Sequence, residues 1–495
     1  MKKSNMIKSA TSITLLAALA LTGCSATSAS NTSATSAIST STSSDSDTKS
    51  KTADSFSTDV KSGAKLAEDT HYSAKDLTWD SSSEVTIDLS NPTATDGVTV
   101  SDGVITITKA GNYRLSGTYS GQVKVEAADS DMVRLILDNA TITNSTGAAI
   151  NVVEADEVVI YTASGSTNTV SDGSSYSDTA SGSPDAAIYS KSDLTLAGEG
   201  TLKVEGKYEE GIHTTDGLVS ASGTLEVNAA NTGIKGKDYV DILDGTVNVT
   251  SSDDGINASY STSSSSSTES TSSSTTQSNQ TAQNTQSGQS AQSNAAQGGQ
   301  GGQPPAGGQA PSGNMGQPPA GGGGGMGGGG GTFEVVDATI NIAGGTVTVN
   351  ANGDGIDSNG TATLSGGTLV VNGPFTGGNT SLDTNGDLLL NGTTVVAGNS
   401  GDMFEAPASS STSGYVKLTN LSNVSSGTTI QVADSSGKVV ANYKVTNSNT
   451  ALILVSSANI TKGQSYTVYT TTDSVDASST SVASNATSLG SFTAS

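Results

Sequence analysis

The pair Gly-Ile recurs at Gly211-Ile212, Gly233-Ile234 and Gly255-Ile256, a step of 22 residues taken twice. A second phrase, Gly-Thr-apolar-x-Val, keeps that step between Gly223-Thr224-Leu225-Glu226-Val227 and Gly245-Thr246-Val247-Asn248-Val249. Two phrases in one period define a structural repeat. Short β-branched runs between Gly, Asn and Asp turns, with no helical apolar spacing, predict that each repeat is one coil of a parallel β-helix. One coil cannot bury its own apolar face, so the coils must stack.

The same phrases extend the helix over residues 132–406. Val133-Arg134-Leu135-Ile136-Leu137 with Ala149-Ile150, and Val158-Val159-Ile160-Tyr161 with Ala187-Ile188, make the first coils, the second carrying an insertion around Ser171 to Ser183. Ile356 then follows Ile256 by 100 residues instead of 22, and Gly345-Thr346 follows Gly245-Thr246 by the same step. Nearly all of the excess is residues 259–331, which run from Ser/Thr to Gln/Asn/Ser to Gly/Pro and are expected to be a disordered insertion. Loop-closure entropy grows only logarithmically with length, so the helix can resume beyond it. Upstream, alternating segments over 76–131 predict an N-terminal β cap; downstream, residues 412–470 read as a small antiparallel β domain and 471–495 as a polar tail. The fold class expected is all-β.

At the N-terminus, Lys2, Lys3 and Lys8 precede an apolar run from Ile13 to Leu21 and the sequence Leu21-Thr22-Gly23-Cys24. This looks like the lipobox of a bacterial lipoprotein, with residues 1–23 a signal peptide and Cys24 lipidated. Residues 24–75, rich in Ser, Thr and Ala, are expected to form a disordered stalk. The folded part is then held on the extracellular face of the cell membrane by its lipid anchor alone, as a monomer. A formal charge of −25 excludes nucleic acid as a partner, since its binders carry basic patches, and favours cations.

Alignment of the coils on Gly-Ile places Glu210, Thr232, Asp254 and Asp354 in one column and His213, Lys235, Asn257, Asp357 and Asp383 in another. At a coil spacing of about 4.8 Å, Asp254, Asp354 and Asp357 share an edge. Two carboxylates at that distance repel by roughly 1 kcal/mol in water and several times more near a protein surface. A cation reverses the cost. Calcium suits an all-oxygen set, whereas zinc would want more cysteine and histidine than the one and two this chain has. The alternative is that these residues serve as Asx turns only. His213 reads more simply as a turn hydrogen-bonder than as a general base. Lys235 and Lys237, in one turn with Asp238 and Asp241, offer charge neutralisation, anion recognition, or a base that takes the proton α to a uronate carboxylate. Neighbouring carboxylates favour a protonated lysine, which counts against the base.

These residues, together with Val133-Arg134-Leu135-Ile136-Leu137, Gly165-Ser166-Thr167-Asn168-Thr169-Val170 and Tyr189-Ser190-Lys191-Ser192-Asp193-Leu194, resemble a bacterial carbohydrate-binding β-helix family. That family is typified by a clostridial surface protein that binds cellulose and polygalacturonate, and is similar to polysaccharide lyase family 9. The resemblance runs from about Trp79 to Phe404. It implies a right-handed helix, bound calcium, Lys235 or Lys237 as candidate catalytic bases, and Asp238, Asp253, Asp254, Asp354 and Asp357 as calcium ligands. With aromatic residues at 4% and one tryptophan, Trp79, outside the coils, a flat platform for cellulose is not expected. The resulting expectation is a calcium-bound β-helix that binds acidic or plant-cell-wall polysaccharide, with a pectate-lyase-like enzyme and a purely structural or adhesive solenoid as alternatives.

Overall fold

A computed structural model describes residues 66–259 and 334–495, apart from 376, 402, 420, 422, 423 and 477. Cys24 and the expected signal peptide, the expected stalk up to residue 65 and the expected insertion from residue 260 to 333 lie outside the described residues. What is described is a parallel β-helix. Ten strands form one sheet and nineteen a second, and a four-stranded sheet follows near the C-terminus. Among the described residues no helix is long and apolar enough to cross a membrane.

Both repeat phrases have a packing reason. The isoleucines stack inside the ten-stranded sheet, where Ile150, Ile188, Ile212, Ile234, Ile256, Ile356 and Leu382 pair in register from coil to coil. All are buried, and each contributes about 1.5–3 kcal/mol by leaving water. The glycine before each isoleucine leaves room for a neighbour. A Cβ on Gly255 would stand 2.2 Å from Val349 Cγ1 and 2.5 Å from the carbonyl oxygen of Gly355. In the second phrase Gly245 has a φ of +88°, a turn conformation that costs a side-chain-bearing residue energy.

The nineteen-stranded sheet carries two ladders. One includes Glu157–Thr162, Asp193–Gly198, Leu218–Ser220, Tyr239–Ile242, Thr339–Ile342 and Thr361–Leu364. The other includes Thr167–Ser171, Thr201–Gly206, Thr224–Ala229, Thr246–Ser251, Thr346–Ala351 and Thr368–Asn372. The long strand Met132–Thr143 joins them by pairing with both. The ladders cross the insertion without a slip, with Asp241 opposite Asn341 and Asn257 opposite Asp357.

Four boundaries differ from the sequence reading. The helix begins at Glu84, not near Met132: Glu84–Asp88 already pairs in parallel with Gly111–Ser120, and only the hairpin Val98–Ser101 with Val104–Ile107 is antiparallel. Those strands alternate in polarity as a cap would, and nothing local distinguishes the two. The expected stalk ends earlier than residue 75, because residues 66–79 lie on the outer face of the first ladder. The backbone N–H of Ala67 donates to Asp241, that of His71 donates to the Tyr239 hydroxyl at 2.9 Å, and Trp79 packs edge-on against Tyr161. Part of the expected small domain belongs to the helix instead. Leu452–Ser456 pairs antiparallel with both Thr394–Asn399 and Tyr415–Thr419, and so covers the end of the large sheet. Finally, the polar tail contains a strand, Thr487–Thr493, paired with Ser465–Thr471 and docked through Phe492 on the C-terminal core. Its Ser- and Thr-rich sequence hides an edge strand that buries only one face.

Candidate functional site

The turns that enter the ten-stranded sheet line one corner of the helix, and acidic side chains collect there. Adjacent coils stack in register, so the column predicted after isoleucine forms as a continuous row: His213, Lys235, Asn257, Asp357 and Asp383. The column before glycine supplies Asp254 and Asp354, whose turns interlock. Asp254 Oδ1 accepts from the backbone N–H of Asp354 at 2.8 Å, and Asp354 Oδ1 accepts from the N–H of Thr380 at 2.5 Å. Asn257 donates through Nδ2 to Asp357 Oδ2, while its own Oδ1 is buried without a partner. Exposed Asp253 stands on the same turn. A Cβ on Gly353 would meet Oδ1 of both Asp253 and Asp254, so this glycine keeps the two carboxylates close to the next coil.

The electrostatics follow from that crowding. Burial pushes the Asp354 carboxyl up to about 8, with the charges of Asp383, Asp254 and Asp357 adding to the effect and the Thr380 N–H opposing it. Burial raises Asp254, with the charge of Asp253 adding, and Asp357, with the charges of Asp254 and Asp383 adding. Burial raises Glu405 too, and the charge of Asp383 adds to it. The donor set is all oxygen, hard and anionic, and includes an amide oxygen with nothing to accept from; this fits calcium.

Not all of the predicted residues meet here. Asp253, Asp254, Asp354 and Asp357 do. Asp238 lies at the other end of the same strands, on the turn that leaves the sheet, where its carboxylate faces Lys237 Nζ at 3.6 Å and the charge of Asp216. Burial raises Asp216 to about 6, with Asp193 and Asp238 contributing. The two lysines are also separated: Lys237 is on that far turn, whereas Lys235 Nζ faces Glu210 Oε1 at 3.8 Å on the near edge. Asp241 is buried and structural, accepting from the N–H of Ala67 and from Asn341 Nδ2.

The sequence reading left out three acidic residues. Glu405 reaches the edge from beyond the last coil, accepting from the N–H of Thr384 at 2.6 Å, and no periodic signal marks it. Asp383 entered a column but not the ligand set. Asp185 lies three residues before Ile188, as Glu209 does before Ile212 and Asp253 before Ile256, so alignment on the isoleucine alone would have found it. Asp185 Oδ1 is 2.6 Å from His213 Nδ1. With buried Glu210, whose Oε2 has no partner, they place three ligand-capable atoms within 4.8 Å of one another. Burial raises Glu210, Asp185 adds to this, and Lys235 opposes it.

Comparison with known proteins gives three similarities. Residues 101–299 match the family model of carbohydrate-binding domain-containing proteins. A carbohydrate-binding domain-containing protein of Acetivibrio thermocellus is 36% identical over 145 residues, which cover 29% of this chain and 51% of that protein, so the match spans about half the length of the relative. A solved structure of a polysaccharide lyase-like protein from C. thermocellum, a gadolinium derivative, is 24% identical with a TM-score of 0.44, over 62% of this chain and 95% of that one. Over residues 101–299, the chain is therefore similar to the carbohydrate-binding domain-containing proteins.

Proposed function

We propose that this chain binds polysaccharide, of acidic or plant-cell-wall type, through calcium held on the acidic edge. We further propose that it does so as a monomer on the extracellular face of the cell membrane, anchored through Cys24. The observation that carries the reading is the row of acidic side chains Asp254, Asp354, Asp357, Asp383 and Glu405 on neighbouring coils, with the unpartnered Oδ1 of Asn257 on the side chain that donates to Asp357, within a chain similar to carbohydrate-binding proteins. Asp254, Asp354 and Asp357 would hold the ion with Asn257, and Asp383 and Glu405 would flank them. Bound calcium supplies the positive charge that lets these carboxyls ionise and that sugar hydroxyl or uronate oxygens can share. The protein's own part is to fix the carboxylates: the N–H groups of Asp354 and Thr380 hold two of them against the coil above.

The lyase alternative needs Lys235 or Lys237 as a base. Each ammonium faces a carboxylate, Lys235 at 3.8 Å and Lys237 at 3.6 Å, and Lys237 is on the far turn from the calcium candidates. Both contacts give the lysines the charge-neutralising role.

The test is retention of polygalacturonate on an affinity gel with calcium and its loss with EGTA, while absorbance of unsaturated chain ends is followed at neutral and alkaline pH. Retention without absorbance is expected. Product formation abolished by Lys235→Ala or Lys237→Ala would make the protein a lyase, and no retention of any acidic or neutral glycan would leave the structural solenoid. For the anchor, Cys24→Ala is expected to release the protein from membranes or leave it uncleaved; undiminished retention of the mature form would remove Cys24 from the account.

A further inference from the structure

The insertion in the second coil, residues 171–184, is polar enough to be taken for a loose loop, yet it is pinned. The Tyr176 ring stacks on Tyr208 with centroids 4.2 Å apart and planes at 17°. Its hydroxyl bridges Asp172 Oδ2 at 2.9 Å and the Ala186 carbonyl at 2.8 Å. Asp172 also accepts from the N–H of Lys207 at 2.5 Å, and the N–H of Ser177 donates to the Thr146 carbonyl at 2.9 Å. Fixed in this way, the insertion walls a cavity of about 890 Å³. That lies within the range of roughly 300–1,000 Å³ usual for small-molecule sites.

We propose that this cavity is a binding subsite for a short neutral oligosaccharide or glycan chain end, separate from the calcium edge; the inference rests on the polysaccharide-binding reading above. The lining mixes polar and apolar surface and includes Gln122, Asn144, Asn151 and Tyr176; Gln122 Nε2 and Asn144 Nδ2 already donate to the Ala148 carbonyl, so the Asn151 amide and the Ser and Thr hydroxyls are the groups offered to a ligand. Such groups suit sugar hydroxyls, which donate and accept at once. Charge selects against uronates. Lys207 is the cation of the lining, its Nζ already donates to Ser171 Oγ at 2.7 Å, and Asp102, Asp172 and Asp178 surround the same space. A pre-formed wall also spares the ordering cost that a loose loop would impose on binding. Asn151 stands in the row that continues through Tyr189 to His213, so a chain leaving the cavity would be directed along the sheet toward the acidic edge.

The experiment is titration calorimetry in EGTA with cellohexaose, xylohexaose and mannohexaose, alongside calcium-dependent retention of polygalacturonate. At least one neutral hexasaccharide is expected to bind, and to weaken about tenfold in Asn151→Ala, the equivalent of one or two hydrogen bonds. Ser145→Trp, on the exposed lip, should block the cavity without touching the coils. Asp354→Asn with Asp357→Asn should leave neutral binding unchanged while abolishing polygalacturonate retention. Polygalacturonate retention with no neutral binding, or neutral binding indifferent to both cavity variants, overturns the subsite and leaves the proposed function standing. Absence of both kinds of binding overturns both.

Discussion

Asp254 Oδ1 accepts a hydrogen bond at 2.8 Å from the backbone of Asp354, a residue 100 positions further along the chain. The bond spans adjacent coils across the low-complexity insertion, and it draws into one cluster the carboxyls of Asp254, Asp354 and Asp357, all raised by burial. Calcium binding only the folded state must stabilise it. We expect EGTA to lower the unfolding midpoint of the wild type on the order of 5 °C or more, since each kcal/mol shifts a domain of this kind by roughly 2–4 °C. Asp354→Asn with Asp357→Asn should remove most of that dependence. Scanning calorimetry at millimolar calcium checks it, and coincident apo and calcium-loaded transitions would reduce the edge to turn chemistry.

The insertion itself is predicted to be dispensable for stability. Asn257 pairs with Asp357 and Asp241 with Asn341, so the coil is complete on both sides of residues 260–333. Deletion of 262–330 changes chiefly a loop-closure term, worth on the order of 1 kcal/mol. The thermal midpoint should therefore move by no more than about 3 °C, and a fall of about 10 °C would show that the segment contributes to the fold.

Coil period, strand content and the Asp254, Asp354 and Asp357 edge were legible because each repeats at fixed spacing, and stacking turns spacing directly into proximity. Asp238 misled because it shares a turn with Lys237 in sequence, whereas a strand of only three residues, Ile234–Gly236, separates that turn from the opposite corner. Glu405 and the docking of residues 66–79 were invisible for a different reason: both depend on contacts between distant segments, Thr384 with Glu405 and His71 with Tyr239, that no local pattern encodes. The edge strand Thr487–Thr493 buries too little to announce itself.

Gly255 is predicted to be irreplaceable at the repeat. A methyl group there would meet Val349 Cγ1 at 2.2 Å and the Gly355 carbonyl at 2.5 Å, and the carbonyl belongs to a paired coil that cannot step aside. Gly255→Ala should cost about 1–3 kcal/mol as an overpacked core position. Denaturant unfolding would register this as a lower midpoint with an unchanged slope; a variant as stable as wild type would mean that the coils can separate locally.

His71 gives the final prediction. Its ring lies 3.0 Å from Asp193 and 3.5 Å from Glu157, its Nε2 meets Thr195 Oγ1 at 2.9 Å, and Tyr239, Asp216 and Asp241 complete the surroundings. Burial alone would lower the imidazole below its ordinary 6.5, but the Asp193 hydrogen bond and the charges of Asp193, Glu157 and Asp216 outweigh it and raise the group. The folded protein therefore binds this proton more tightly than the unfolded chain does. The stabilisation is complete below the ordinary value and is lost as pH rises through the raised one. Trp79, the single tryptophan, reports on this segment because it packs against Tyr161. Between about pH 6 and pH 9, a window bracketing the ordinary histidine value, the melting midpoint seen by Trp79 fluorescence should fall in wild type and fall less steeply in His71→Gln, where only the raised carboxyls such as Asp354, pushed up to about 8, still release protons. An equal slope in the two proteins would assign the pH dependence to the carboxylates of the coils, and His71 would be left with packing alone.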